Sequence, residues 1–237
     1  MRKKLFVSIP VGLLVLLGCY FYRFYPQQQM PTGIPIKINT PEPEKYHNDC
    51  LHPCVRELID GSYVMVQSPY YTWNNMIENP MIYHSNSLTD FGMGRLLNDT
   101  PETGFNSDPN VFVEDSLVYA FYREFGTPLC QELGLDDIII GGEVDNLDTI
   151  QYIDKQLFIS NKWNQGDLVQ CPILIRHEGK YKFYAAWYQY SPERKNKGIA
   201  IWEGSSLDNP DFQLKDTIPF DNPLVCDKLF QKKIQFQ

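Results

Sequence analysis

Asn48-Asp49-Cys50-Leu51-His52-Pro53-Cys54-Val55-Arg56-Glu57-Leu58-Ile59-Asp60-Gly61-Ser62-Tyr63-Val64-Met65-Val66-Gln67-Ser68 is the stretch whose reading decides the fold. A polar head ending in His52-Pro53 leads into two strand-like apolar runs, 54–59 and 63–68, on either side of Asp60-Gly61, a strong hairpin signal. An aromatic loop follows, Tyr70-Tyr71-Thr72-Trp73, and Glu78-Asn79-Pro80 then introduces a third run, 81–85. Residues 86–91 suit a turn into a fourth strand. A meander of this size is one supersecondary unit that cannot bury both of its own faces, so it has to stack against others of its kind.

The same layout returns twice. Asp108-Pro109 opens a second unit in which runs 110–113 and 117–123 flank Glu114-Asp115-Ser116. A longer excursion, 124–149, contains Gly141-Gly142, and 156–160 then takes the place of the third strand. Cys171-Pro172 opens the third unit, where 172–176 and 181–187 flank the turn His177-Glu178-Gly179-Lys180 and 199–202 follows. Ser205-Ser206-Leu207-Asp208-Asn209-Pro210-Asp211-Phe212 parallels Ser85-Asn86-Ser87-Leu88-Thr89-Asp90-Phe91. Prolines 53, 109 and 172 lie 56 and 63 residues apart, a spacing within reach of a four-stranded propeller blade. No run of a dozen residues after the N-terminus carries a 3.6-residue apolar stripe, so the fold class is all-β.

Ahead of these units, Arg2-Lys3-Lys4 and an apolar run over 5–17 read as an export signal or a membrane anchor. Leu16-Leu17-Gly18-Cys19 resembles a bacterial lipobox with Cys19 as the acylated residue, while Tyr20-Phe21-Tyr22-Arg23-Phe24-Tyr25 suits the interfacial belt of an uncleaved anchor helix. Lipoprotein, signal-anchor and plain secretion all remain open, and each puts the remainder outside the cytoplasm. The expected organisation is a signal or anchor over 1–25, a Pro/Gln-containing tether over 26–48 and blades over 49–237, at about 49–105, 106–168 and 169–221, with the start of a fourth at 222–237.

Without the basic residues at positions 2–4, 18 basic side chains face 29 acidic ones, a net charge of −11. Such a surface repels nucleic acid and anionic lipid and leaves neutral sugars or cationic ligands as partners. Beyond Cys19, five cysteines (Cys50, Cys54, Cys130, Cys171, Cys226) permit two disulfides and one thiol in an oxidising compartment, with the pairing undetermined. No pair of cysteines or histidines has zinc-motif spacing, so neither metal nor cofactor is expected.

His52-Pro53, Asp60-Gly61-Ser62-Tyr63, Glu78-Asn79-Pro80, Asp108-Pro109 and Gly179-Lys180-Tyr181 together resemble the five-bladed β-propeller glycoside hydrolases that include arabinanases, xylosidases and mannoside phosphorylases, and more narrowly their secreted relatives. The resemblance covers about 49–212. It implies a partial or truncated five-bladed propeller with about three legible four-stranded blades. It also leaves three readings of the chain: a fragment, a short self-sufficient relative, or a ring completed by oligomerisation. It further implies a carbohydrate site where the inner strands begin, with a general base, an orienting Asp and a general acid at the heads of the first three blades.

Asp108 fits the second of these places. The first shows His52 with Asp49 nearby, and the third shows Gln170-Cys171-Pro172 without a carboxylate. Catalytic candidates are therefore Asp108, Glu78 and Asp49, with Glu143 and Asp145 on the Gly-Gly segment as a reserve, because glycoside hydrolysis needs two carboxyl groups across the scissile bond. Substrate-binding candidates are His52, Asn79 and Arg123, together with Trp73 and Tyr71, whose faces suit the C–H face of a pyranose. Hydrolysis of glycosidic bonds, non-catalytic glycan binding and an inactive fragment are the three functional readings.

Overall fold

The computed structural model describes residues 36–40, 51–69, 78–149, 155–160, 167–189 and 195–219. The chain divides into Met1–Pro35 and Ile36–Gln237, and every described residue belongs to the second unit. No helix among them is long and apolar enough to cross a membrane.

Fourteen strands and one short helix are described. In chain order they are β1 (Lys37–Asn39), β2 (Leu51–Glu57), β3 (Tyr63–Ser68), β4 (Met81–Ser85), β5 (Asp90–Met93), β6 (Arg95–Leu96), β7 (Phe105–Glu114), β8 (Leu117–Phe125), α1 (Pro128–Leu133), β9 (Asp137–Glu143), β10 (Gln156–Ser160), β11 (Asp167–His177), β12 (Lys180–Gln189), β13 (Lys195–Gly204) and β14 (Gln213–Pro219). They form three four-stranded antiparallel meanders, β2-β3-β4-β6, β7-β8-β9-β10 and β11-β12-β13-β14, plus the parallel pair β1-β5. The first strands β2, β7 and β11 lie side by side. This is a propeller-like array that does not close into a ring among the described residues.

Turn chemistry sets the hairpins. Asp60 Oδ1 accepts from the Ser62 backbone N–H at 2.9 Å and from Ser62 Oγ at 2.6 Å, and Gly61 takes the left-handed conformation at φ 82°. Alternation then sends the two faces of each sheet to different partners. Val64, Val66 and Ile82 of the first sheet pack against Val111, Val118 and Ala120 of the second. On its other face, Met65, Met81 and Tyr83 meet Phe91 and Ile38, so the β1-β5 pair covers that side. Between the second and third sheets lies an aromatic core in which Phe121 meets Phe158 and Phe183 edge-on, at 4.9 and 5.1 Å between ring centroids. Phe91 and Phe212, the ends of the two parallel segments seen in the sequence, are both buried.

Three details differ from the sequence reading. The Gly141-Gly142 segment is no loop: β9 is the third strand of its sheet, and residues 156–160 form the fourth. A side chain at Gly141 would place Cβ 2.4 Å from the Ala120 carbonyl oxygen, so the glycine lets β8 and β9 pair closely. In the first sheet, residues 90–93 leave the meander to pair with β1, and Arg95–Leu96 supplies the fourth strand. Cys54, Cys130 and Cys171 are all free thiols in this structure, where the sequence permitted two disulfides among five cysteines, and Cys50 and Cys226 lie outside the described residues.

Candidate functional site

The three X-Pro heads share one backbone device. Pairing between the first and second strand of each sheet skips from Leu51 to Cys54, from Ser107 to Asn110, and from Gln170 to Ile173. His52, Asp108 and Cys171 occupy the resulting bulges with φ of 52°, 52° and 51°. Non-glycine residues held in that region cost about 1–3 kcal/mol each and gather at functional sites. Three repeats of the same strained bulge aim three side chains at one place.

They meet there. A His52 ring nitrogen, an Asp108 carboxylate oxygen and Cys171 Sγ all lie within 4.8 Å of one another. His52 Nδ1 is 3.2 Å from Asp108 Oδ1, and Cys171 Sγ donates to the same oxygen at 3.8 Å. Asp108 is buried, whereas His52 and Cys171 reach solvent, so the cluster is floored by a carboxylate and open above it.

Arg123 braces this floor from β8. It is 2% exposed, its Nε donates to Asp137 Oδ2 at 3.2 Å, and its Nη1 lies 3.9 Å from Asp108 Oδ2. Its guanidinium also lies over the Phe125 ring at 5.0 Å. The same Asp137 oxygen accepts from the Val169 backbone N–H at 3.1 Å, tying the second sheet to the inner strand of the third. Arg123 is therefore an internal counter-ion to Asp108 and Asp137. Three polar atoms at the head of β7, Ser107 Oγ, Asp108 Oδ2 and Asn110 Oδ1, are buried with no hydrogen-bond partner among the described residues. That leaves unused hydrogen-bonding capacity beside the cluster.

Glu78, just before β4, is 6% exposed and accepts from Ser68 Oγ at 3.1 Å. Desolvation first, and the Asp108 charge second, push its carboxyl up to about 8, so it is a neutral acid at pH 7. Desolvation and the same Asp108 carboxylate push the Cys171 thiol up to about 12. Left to itself, Cys171 is not an activated nucleophile.

The other candidates fall elsewhere. Asn79 is fully buried, and its amide donates to the Asn98 carbonyl at 2.8 Å and to Thr100 Oγ1 at 3.3 Å, which fastens the connection after β6. Glu143 pairs in register with Tyr119, two strands away from β7 and toward the far end of the sheet from Asp108. Strand geometry puts it about 10 Å along the sheet and about 10 Å across from Asp108, beyond the separation of a catalytic carboxylate pair. Asp145 follows on an exposed turn. Asp49, Tyr71, Trp73 and Cys19 lie outside the described residues. Cys171 is the member that residue-type reasoning passed over: its signal is its place before Pro172, matching His52-Pro53 and Asp108-Pro109.

No family model matches this sequence, and no curated protein matches it. Solved structures do. A thermostable family-43 glycoside hydrolase aligns with a TM-score of 0.53 at 19% identity, covering 72% of this chain and 55% of its own. An N-acetylgalactosamine deacetylase from F. plautii, crystallised with blood group B trisaccharide, aligns at 0.53 and 12% identity over 72% of this chain and 53% of its own. An endo-arabinase from Bacteroides thetaiotaomicron aligns at 0.50 and 15% identity over 71% and 62%. The present chain thus spans between half and two thirds of the length of these three. At such identities the likeness shows the fold alone, a partial propeller-like architecture resembling that of family-43-type glycosidases.

Proposed function

We propose that the protein is an extracytoplasmic carbohydrate-active protein that takes a glycan at the meeting point of the β2, β7 and β11 heads. The observation that carries this reading is the threefold bulge, which delivers His52, Asp108 and Cys171 to one solvent-open cluster. Support comes from Ser107 Oγ and Asn110 Oδ1 at the head of β7, which have no hydrogen-bond partner among the described residues, and from the sugar-active enzymes among the structural neighbours. The export-type N-terminus agrees with a substrate outside the cytoplasm, and anchoring through Cys19 or through an uncleaved helix belongs to the same proposal.

Titration calorimetry of the full chain with arabino-, xylo- and galactosamine-containing oligosaccharides tests it. Binding weakened at least about tenfold by Asp108→Asn, with an unchanged circular dichroism spectrum, is the expected result, since a buried charged acceptor contributes more than about 1.4 kcal/mol. No binding of any of these sugars at millimolar concentration refutes the reading, and a chain without a cooperative unfolding transition points instead to an inactive fragment.

Hydrolysis is a second reading, favoured by one observation: a neutral Glu78 lies within electrostatic reach of Asp108. A protonated acid and an ionised carboxylate are the two partners that glycoside hydrolysis needs. The heads of the first and third sheets carry His52 and Cys171 instead of carboxylates, which weakens it. Reducing-sugar release lost in both Glu78→Gln and Asp108→Asn would support hydrolysis, and release that survives either substitution would dismiss this pair.

A further inference from the structure

We propose that His52, Asp108 and Cys171 form a binding site for one borderline-soft divalent cation of the zinc type, with a fourth position open to solvent. The inference does not depend on the glycan reading.

Donor type and geometry agree. An imidazole nitrogen, a carboxylate oxygen and a thiolate sulfur are all zinc ligands, and a thiolate disfavours calcium and magnesium. Ligands about 2.0–2.2 Å from a tetrahedral ion for nitrogen and oxygen, and about 2.3 Å for sulfur, stand about 3.3 Å apart for an N–O edge and about 3.5–3.7 Å for an O–S edge. The corresponding edges here are 3.2 Å from His52 Nδ1 to Asp108 Oδ1 and 3.8 Å from Asp108 Oδ1 to Cys171 Sγ. The third edge, His52 to Cys171, lies within 4.8 Å and closes by a side-chain adjustment.

Charge agrees as well. Neutral imidazole, carboxylate and thiolate sum to −2, matching the ion, and binding transfers the thiol proton of Cys171 to solvent. The nearest competing charge, Arg123, faces the other carboxylate oxygen, Oδ2, and is itself paired with Asp137. That arrangement orients Asp108 so that Oδ1 points into the cluster, the work of an outer-shell partner. Three protein ligands with an open face is the pattern of zinc sites that bind water or substrate oxygen, whereas purely structural sites are closed by four.

A Cys-His-Asp nucleophile triad is the competing account of the same residues. In such a triad the histidine bridges the acid and the thiol and activates the latter. Here Asp108 Oδ1 occupies the bridging position, 3.2 Å from His52 Nδ1 and 3.8 Å from Cys171 Sγ.

The test uses the full chain, kept reduced, freed of metal by chelator dialysis and titrated with Co2+ and then Zn2+. The expected result is one equivalent bound, with a thiolate-to-cobalt charge-transfer band that Cys171→Ser abolishes and Cys54→Ser leaves in place. His52→Ala should weaken Zn2+ binding at least about 100-fold, since loss of an outer-shell partner alone costs about 10–100-fold. A second measurement needs no variant: Co2+ bound in the wild-type chain should be displaced by one equivalent of Zn2+, with loss of the charge-transfer band. Absence of stoichiometric binding, a cobalt band that survives Cys171→Ser, or a cobalt band that Zn2+ does not displace overturns the proposal.

Discussion

Replacing Glu78 by glutamine isolates a buried acid from everything else in the site. Burial, reinforced by the negative charge of Asp108 and only partly offset by the Ser68 hydrogen bond and Arg123, raises this carboxyl from 4.5 to about 8. Between those values the folded chain keeps a proton that the unfolded chain has released. The unfolded state then binds fewer protons, so stability falls as pH rises through the window, and this group contributes no slope below about 4.5 or above about 8. Each pH unit corresponds to about 1.4 kcal/mol, or roughly 5 kcal/mol across the window. Glutamine has no proton to lose. Urea unfolding of wild type and Glu78→Gln, with a chelator present, from pH 4.5 to 8.5 should therefore give curves that lie together at the acid end. They should separate by several kcal/mol at pH 8 in favour of the variant. Parallel pH profiles across the window would refute the assignment of a neutral Glu78.

Two further outcomes concern the scaffold. Arg123→Met removes the cation between buried Asp108 and Asp137, and urea unfolding at neutral pH should show a loss of about 3–5 kcal/mol, whereas a loss below about 1 kcal/mol would mean that the ion pairs do not hold this corner. Phe121→Ala empties the centre of the aromatic core between the second and third sheets and should cost about 3–5 kcal/mol by the same measurement, so an unchanged midpoint would deny that these sheets are packed.

Much of this architecture is legible in the sequence where local chemistry dictates it. Asp60-Gly61 and Glu178-Gly179 announce hairpins because glycine tolerates the left-handed backbone at Gly61 and Gly179, and the three X-Pro heads mark where each unit opens, although the bulges there emerge only from the strand pairing. Reading failed where a tertiary contact reverses the local signal. Gly141-Gly142 looks like punctuation, yet the glycine is there so that two strands can approach. Asn106 and Ser107 are polar and both fully enclosed, so the first turn of β7 hides from any search for apolar runs.

The cysteines misled for a related reason. Compartment arithmetic expects pairs, while Cys130 is buried against the Glu124 carbonyl and Cys171 is turned toward Asp108. His52, Asp108 and Cys171 stand 56 and 63 residues apart, so no motif spacing reports a cluster that only the stacking of sheets creates.

The repeated left-handed residue before each proline has a consequence for how such a protein changes over time. Because the bulge is fixed by the backbone and the following proline, it works as a socket that accepts whichever side chain the codon supplies, at a conformational cost already met by the surrounding sheet. Three letters, at positions 52, 108 and 171, can then be exchanged without redesigning a strand, and each exchange rewrites the chemistry at the centre: carboxylates give an acid–base pair, while nitrogen, oxygen and sulfur together give a cation trap. On this scaffold, activity is a vocabulary of three residues spoken by one unchanging frame.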